Sequence, residues 1–179
     1  MKSQNLLLIS ASFFIGTISI AIADLPATAS EATFYCQSNG EIPTTVIKSD
    51  SGTEQSIFNW KLEPEKVSAT PEELCNSVTQ KLNNYVSAGN DLSSLTFRGS
   101  TVSNNDEDLS SLPAVCISGS EAPCKLPLFT LKPSEDPSVA SNVLNSILDP
   151  ALQKTAVQSG DRGFQSTSYE VDFWDLLGL

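Results

Sequence analysis

The chain has 179 residues, 40% of them hydrophobic, which is enough for one domain with a real core and too few for two comfortable ones. Its 21 acidic against 10 basic residues give a formal charge of −11, which repels phosphate backbones and sets nucleic acid aside as a partner. There is no histidine, so Ser-His-Asp and Cys-His catalysis, imidazole metal sites and the usual proton shuttle near neutral pH are all removed.

The chain opens with Met1-Lys2, a short positive region, followed by an apolar run over 6–22 broken only by Ser, Thr and one Gly. Ala21 and Ala23 flank Ile22 at the spacing signal peptidase reads, and Ala27 and Ala29 offer a second site before Ser30. This is the pattern of a Sec signal peptide over 1–23. The alternative is a retained membrane anchor, for which the run lies at the lower edge of the length that spans a bilayer. Cleavage after Ala23 loses only Lys2 among the charged residues and takes the formal charge from −11 to −12. No lipobox precedes Cys36, and no later segment is long and apolar enough to span a membrane.

After a polar lead-in, three strands are expected over 32–37, 43–48 and 57–61, separated by Ser38-Asn39-Gly40 and Asp50-Ser51-Gly52 turns. Pro43 marks the second as an edge strand, where one N–H faces water. Thr70-Pro71-Glu72-Glu73 is a capping box with proline at the first helical position, and Leu74, Val78, Leu82 and Tyr85 then recur at helical spacing up to Gly89. Further strands are expected over 95–102, 113–118 and 126–131, with an acidic loop over 104–111 between the first two. Asp136-Pro137 opens a second helix whose apolar face is Val139, Val143, Leu144, Ile147 and Leu148, and Asp149-Pro150 breaks or restarts it. The order predicts an α+β domain over 32–150, with a mainly antiparallel sheet of about five or six strands and two helices. Residues 151–179 are expected to be a linker and an acidic-aromatic tail.

Four cysteines in an exported chain argue disulfides. Of the three pairings, Cys36–Cys75 with Cys116–Cys124 is favoured. The second pair closes a short loop containing Gly119 and Pro123, and the first ties an early strand to the buried side of a helix. On the chain-entropy account these loops stabilise by about 4 and about 2.5 kcal/mol. Zinc sites use tight pairs such as C-x2-C, and none is present.

The run Phe34-x-Cys36, Pro43-Thr44-Thr45-Val46, Trp60, Thr70-Pro71 ahead of Cys75 and Val78, Val115-Cys116, Cys124 and Leu128-Phe129-Thr130-Leu131 resembles the circadian oscillating protein family of cyanobacteria. The resemblance runs from 32 to about 148. Leu74 departs from it, standing where the family usually has Arg. So does the acidic insertion after Gly99, where the family usually has a compact Gly-Asn turn. The resemblance implies export or membrane association and supplies no reaction and no catalytic residue to carry over.

Other constellations have plainer readings. The stretch Asn104-Asn105-Asp106-Glu107-Asp108 fails the EF-hand pattern, because Leu109 and Val115 stand where Gly and Glu are needed. Glu72 and Glu73 stabilise a helix start better than they pair at a site. There is no G-x-S-x-G, S-x-x-K, P-loop or dinucleotide fingerprint. No catalytic residue, cofactor or metal is expected. The sharpest candidate is the end of the chain, where Tyr169, Phe173, Trp174, Leu176 and Leu177 are interspersed with acids. Such a segment either docks an aromatic anchor into a protein partner or packs on its own core. The reading is an exported, non-enzymatic protein that acts by binding or association in the periplasm or thylakoid lumen, with peripheral membrane association open to it. The alternatives are a hydrolase built from carboxylates and a small-ligand carrier.

Overall fold

A computed structural model describes residues 32–38, 42–63, 65–103, 111–119, 124–134, 136, 138–155, 157–158 and 168–178. The expected signal peptide, the acidic stretch 104–108, Pro123, Pro137 and most of the linker lie outside the described residues.

Three strands, β1 (Ala32–Gln37), β2 (Thr44–Ser49) and β3 (Glu54–Asn59), form an antiparallel meander. The β2–β3 turn places Gly52 at φ 90, the left-handed region open to glycine, and its N–H donates to Ser49 O at 2.9 Å. Helix α1 (Pro71–Ser87) starts on the expected capping box. Glu73 N–H donates to Thr70 Oγ1, and Thr70 N–H donates back to Glu73 Oε2. Strands β4 (Leu95–Ser103), β5 (Ser111–Ser118) and β6 (Leu126–Thr130) follow, then α2 (Val139–Ile147) and α3 (Pro150–Thr155). Two short strands, β7 (Val157–Gln158) and β8 (Ser168–Val171), precede a last helix, α4 (Phe173–Leu177).

The expected α+β class and both disulfides are present, but the sheet is two sheets. One has the order β1-β2-β3 and the other β6-β5-β4-β8-β7, and the described residues form four helices rather than two. The division has a physical reason, because both edges of the small sheet are occupied. On β1, Asn83 of α1 accepts Phe34 N–H and donates to Phe34 O, each at 2.8 Å, in the manner of a neighbouring strand. On β3, Ile57 is the extra residue of a bulge. Its carbonyl takes Asp149 N–H at 2.8 Å, beside an isolated bridge between Phe58 and Leu148. No edge is left to accept β4.

Two further corrections follow. β2 is the central strand, not an edge. Pro43 is tolerated because it stands one residue before the strand, where its carbonyl accepts Trp60 N–H at 2.9 Å. The domain also does not end at 150, because β8 pairs with β4 and α4 packs into the core. The helix breaks at Leu148, which is extended, and a new one starts at Pro150, with Asp149 Oδ1 accepting Ala151 N–H at 2.9 Å.

The core is a connected set of rings. Phe129 meets Trp60, Trp60 meets Phe58, Phe58 meets Phe97, Phe97 meets Phe173 and Phe173 meets Phe34, with centroids 5.0–6.3 Å apart and mostly edge-to-face. They join the small sheet, the large sheet and α4. Beside them the fully buried Thr45 hydroxyl accepts Trp60 Nε1–H at 2.9 Å and donates to Cys75 Sγ at 3.8 Å, so the Trp60 indole and the Thr45 hydroxyl are both satisfied.

Gly99, which the sequence places ahead of an acidic insertion, lies mid-strand in β4 on the same face as Leu95 and Phe97. A Cβ there would fall 2.7 Å from the Ala140 backbone carbon and also inside contact distance of Ser141 N. The bare backbone lets α2 lie on the sheet. Gly99→Ala is therefore expected to cost about 1–3 kcal/mol, read as a lower midpoint in urea denaturation with an unchanged slope. Wild-type stability would contradict this packing.

Candidate functional site

The five residues expected either to dock a partner or to pack on the protein's own core are not on a free segment. Tyr169, Phe173 and Leu177 are 3%, 0% and 3% exposed, and only Trp174 and Leu176 are half-buried. The Tyr169 hydroxyl donates to Asn145 Oδ1 of α2 at 2.5 Å, and burial pushes its pKa up. Asp172 caps α4 through Trp174 and Asp175 N–H groups. Gly178 ends the helix at φ 69. The apolar side chains fill the protein's own core, as the cost of exposing them requires.

What holds this end down is the α1–β4 turn. Leu92 O accepts Phe173 N–H at 3.1 Å, and Asp91 Oδ1 accepts Trp174 Nε1–H at 3.1 Å. The Ser93 hydroxyl and backbone N–H also donate to Asp91. These donors, the Ser93 hydroxyl foremost, hold the Asp91 carboxyl at about 2 against an ordinary 3.8.

Among the described residues, one cleft brings a lysine and a serine together. It runs between the first half of α1 and the outer edge of β6, has a volume of about 420 Å³, and is floored by Leu74, Leu128, Phe129 and Leu131. A second depression of about 410 Å³ adjoins it and shares Ser68, Ala69 and Lys132. Two lysines, Lys81 and Lys132, line the first, and no Asp or Glu among the described residues lines either.

Lys81 is placed there by a bulge. Val115 pairs with Phe129 and Cys116 with Pro127, so Leu128 is the extra residue of β6. The Pro127 and Leu128 carbonyls both reach the ammonium, at 3.0 and 2.7 Å. Partial burial lowers the Lys81 pKa. Among the described residues no carboxylate forms an ion pair with it, and the ion pairs found there, Lys48–Glu54 and Lys66–Glu63, lie elsewhere. Sequence reasoning missed this residue. Its only signal is a lysine one turn after Ser77 on an otherwise amphipathic helix, which reads as surface.

The remaining expectations are placed as follows. Cys36–Cys75 joins β1 to α1 and Cys116–Cys124 joins β5 to the segment before β6, as the spacing suggested. Two disulfides imply an oxidising compartment outside the cytoplasm. Glu73 serves the helix cap, and Thr70's backbone N–H, then its hydroxyl, hold its carboxyl below the usual range. Among the described residues no cluster of His, Cys, Asp and Glu could hold a metal, and no helix is long and apolar enough to cross a membrane.

Fold and cleft together define a two-sheet α+β domain, tied by two disulfides, with a cationic, apolar-floored groove beside its longest helix. The chain belongs to the Circadian oscillating protein COP23 family, whose profile matches residues 33–177 and so includes β8 and α4. No curated protein and no solved structure matches it.

The Asp91 shift has a definite sign. A carboxyl lowered on folding contributes stability that is fully present above its ordinary 3.8 and is lost as pH falls to about 2. A carboxyl-detected NMR titration is expected to place the Asp91 midpoint at about 2, and Asp91→Asn to lose less stability than wild type between pH 4 and pH 2. A midpoint at the ordinary value would mean that the Ser93 and Trp174 bonds do not form.

Proposed function

We propose that this is an exported, non-catalytic binding protein of the periplasm or thylakoid lumen, which engages its partner in the groove between α1 and β6. The observation that carries this reading is the groove itself: an apolar floor with a partly desolvated ammonium, Lys81, fixed at its side by two backbone carbonyls. The signal-peptide pattern and the two disulfides support export.

Lys81 and Ser77 lie one turn apart on α1 and both line the groove, which raises a serine–lysine hydrolase as a second reading. A lysine base needs a free lone pair directed at the hydroxyl. Here the Lys81 N–H groups donate to Pro127 and Leu128 oxygens, which favour the ammonium form. We therefore assign Lys81 an electrostatic role.

A photo-cross-linking side chain introduced at Ser77, with Ser51 in the β2–β3 turn as a control, tests the reading in the native host. A discrete adduct from Ser77 and none from Ser51, in the exported fraction, is expected. Equal labelling from both positions, or an adduct confined to the cytoplasm, would overturn it.

A further inference from the structure

We propose that the α1–β6 groove receives an extended, apolar peptide segment of a protein partner that carries a carboxylate, and that Lys81 binds that carboxylate. The proposal rests on the binding reading above and names the chemistry of the partner.

Charge is the first argument. The chain bears 21 acidic residues and only 10 basic ones, yet among the described residues the groove is lined by Lys81 and by no acid. Lys81 has spent two donors on backbone carbonyls and keeps a third, and among the described residues it has no carboxylate partner. Carbonyl dipoles solvate an ammonium without neutralising it. A partly buried, uncompensated cation is stabilised by an incoming anion far more than an exposed lysine is.

Shape and polarity select a peptide over an aliphatic acid. The depressions adjoin, so the site is elongated rather than a single closed cavity. Its floor is the nearly buried Leu74, Leu128, Phe129 and Leu131, and the more exposed Leu112, Pro127 and Pro133 give it apolar surface, but the exposed hydroxyl residues Ser68, Ser77 and Thr130 also line it. An alkyl chain would dehydrate those hydroxyls without replacing their hydrogen bonds, whereas backbone amides replace them. The edge of β6 does not pair with the incoming chain at Pro127 and Leu128, because Lys81 already takes both carbonyls. Recognition there is through side chains.

The test uses the purified protein and dye-labelled short peptides of Leu, Phe and Ser with a single Asp placed at each position in turn. Matched peptides with Asn in place of Asp, and octanoate, form the other arms. Fluorescence anisotropy is expected to show binding by members of the Asp set, weakening as salt is raised, and about tenfold weaker binding by their Asn counterparts. Ser77→Glu places a carboxylate one turn before Lys81, where the i, i+4 pair competes with the ligand, and is expected to weaken binding about tenfold. Ser77→Gln, which adds no charge, is expected to weaken binding by much less than Ser77→Glu. Ser77 is exposed, so both variants are expected to keep the wild-type melting temperature. Equal affinity for Asp and Asn peptides, no effect of Ser77→Glu, binding of octanoate alone, or no binding by any Asp peptide would each overturn the proposal. A discrete Ser77 photo-adduct obtained alongside any of those results would leave the binding reading standing and reject only the acidic peptide.

Discussion

Phe97 is held between Phe58 and Phe173, and that stack is where the two sheets and the last helix meet. The small sheet alone has too little apolar surface for a stable domain, and on the large one α2 lies over Gly99, leaving Phe97 on the same face to be covered by other elements. The ring chain from Phe129 through Trp60, Phe58 and Phe97 to Phe173 and Phe34 resolves both problems in one layer. Its members come from opposite ends of the described domain. The fold is therefore complete only when the C-terminal segment arrives, a long-range closure that is entropically costly and slow. The Cys36–Cys75 bond shortens part of that search by tying β1 to α1 in advance.

Helix α1 acts as the clasp around this layer. Its capping box sets the start, Cys75 fixes it covalently to β1, Asn83 closes the β1 edge, and Lys81 reaches the β6 edge of the other sheet. One helix thus touches an edge of each sheet, and each edge is protected by a different side-chain chemistry. The groove is a consequence of this arrangement. Because the Lys81 side chain must extend across to the bulge at Leu128, the helix and β6 leave a cleft between them, and the cleft inherits a cation. Structural role and candidate binding role fall on the same ammonium.

Local features were legible in the sequence. The Thr70 capping box, the Leu74, Val78 and Leu82 stripe, the helix restart at Pro150 and the cysteine pairing all depend on residues close together or on simple loop geometry, and the structure has them. The features that were not legible depend on tertiary neighbours. Nothing in the β-branched run after Pro43 says whether that strand is central or at an edge; Asn83 and Asp149, both distant in sequence, decide it. Gly99 reads as one more residue of the 95–102 strand until α2 is laid across it. The block after Ser168 reads equally well as an acidic docking tail, because its alternation of acids with large apolar residues is the same for a free segment and for a strand and helix with one buried face. The ring contacts of Phe173 separate the two. The groove was invisible for a similar reason: the signal is a lysine without a counter-charge, and counter-charges are a property of the fold.

The central claim is that the C-terminal segment is a structural part of the core, and its most direct measurement is equilibrium urea unfolding of Phe173→Ala beside wild type, followed by near-ultraviolet circular dichroism. Loss of a buried ring shared by Phe34 and Phe97 is expected to cost about 3–5 kcal/mol and to weaken the aromatic signal before unfolding. An unchanged midpoint and an unchanged aromatic spectrum would contradict the account and return residues 168–178 to the status of an appended tail.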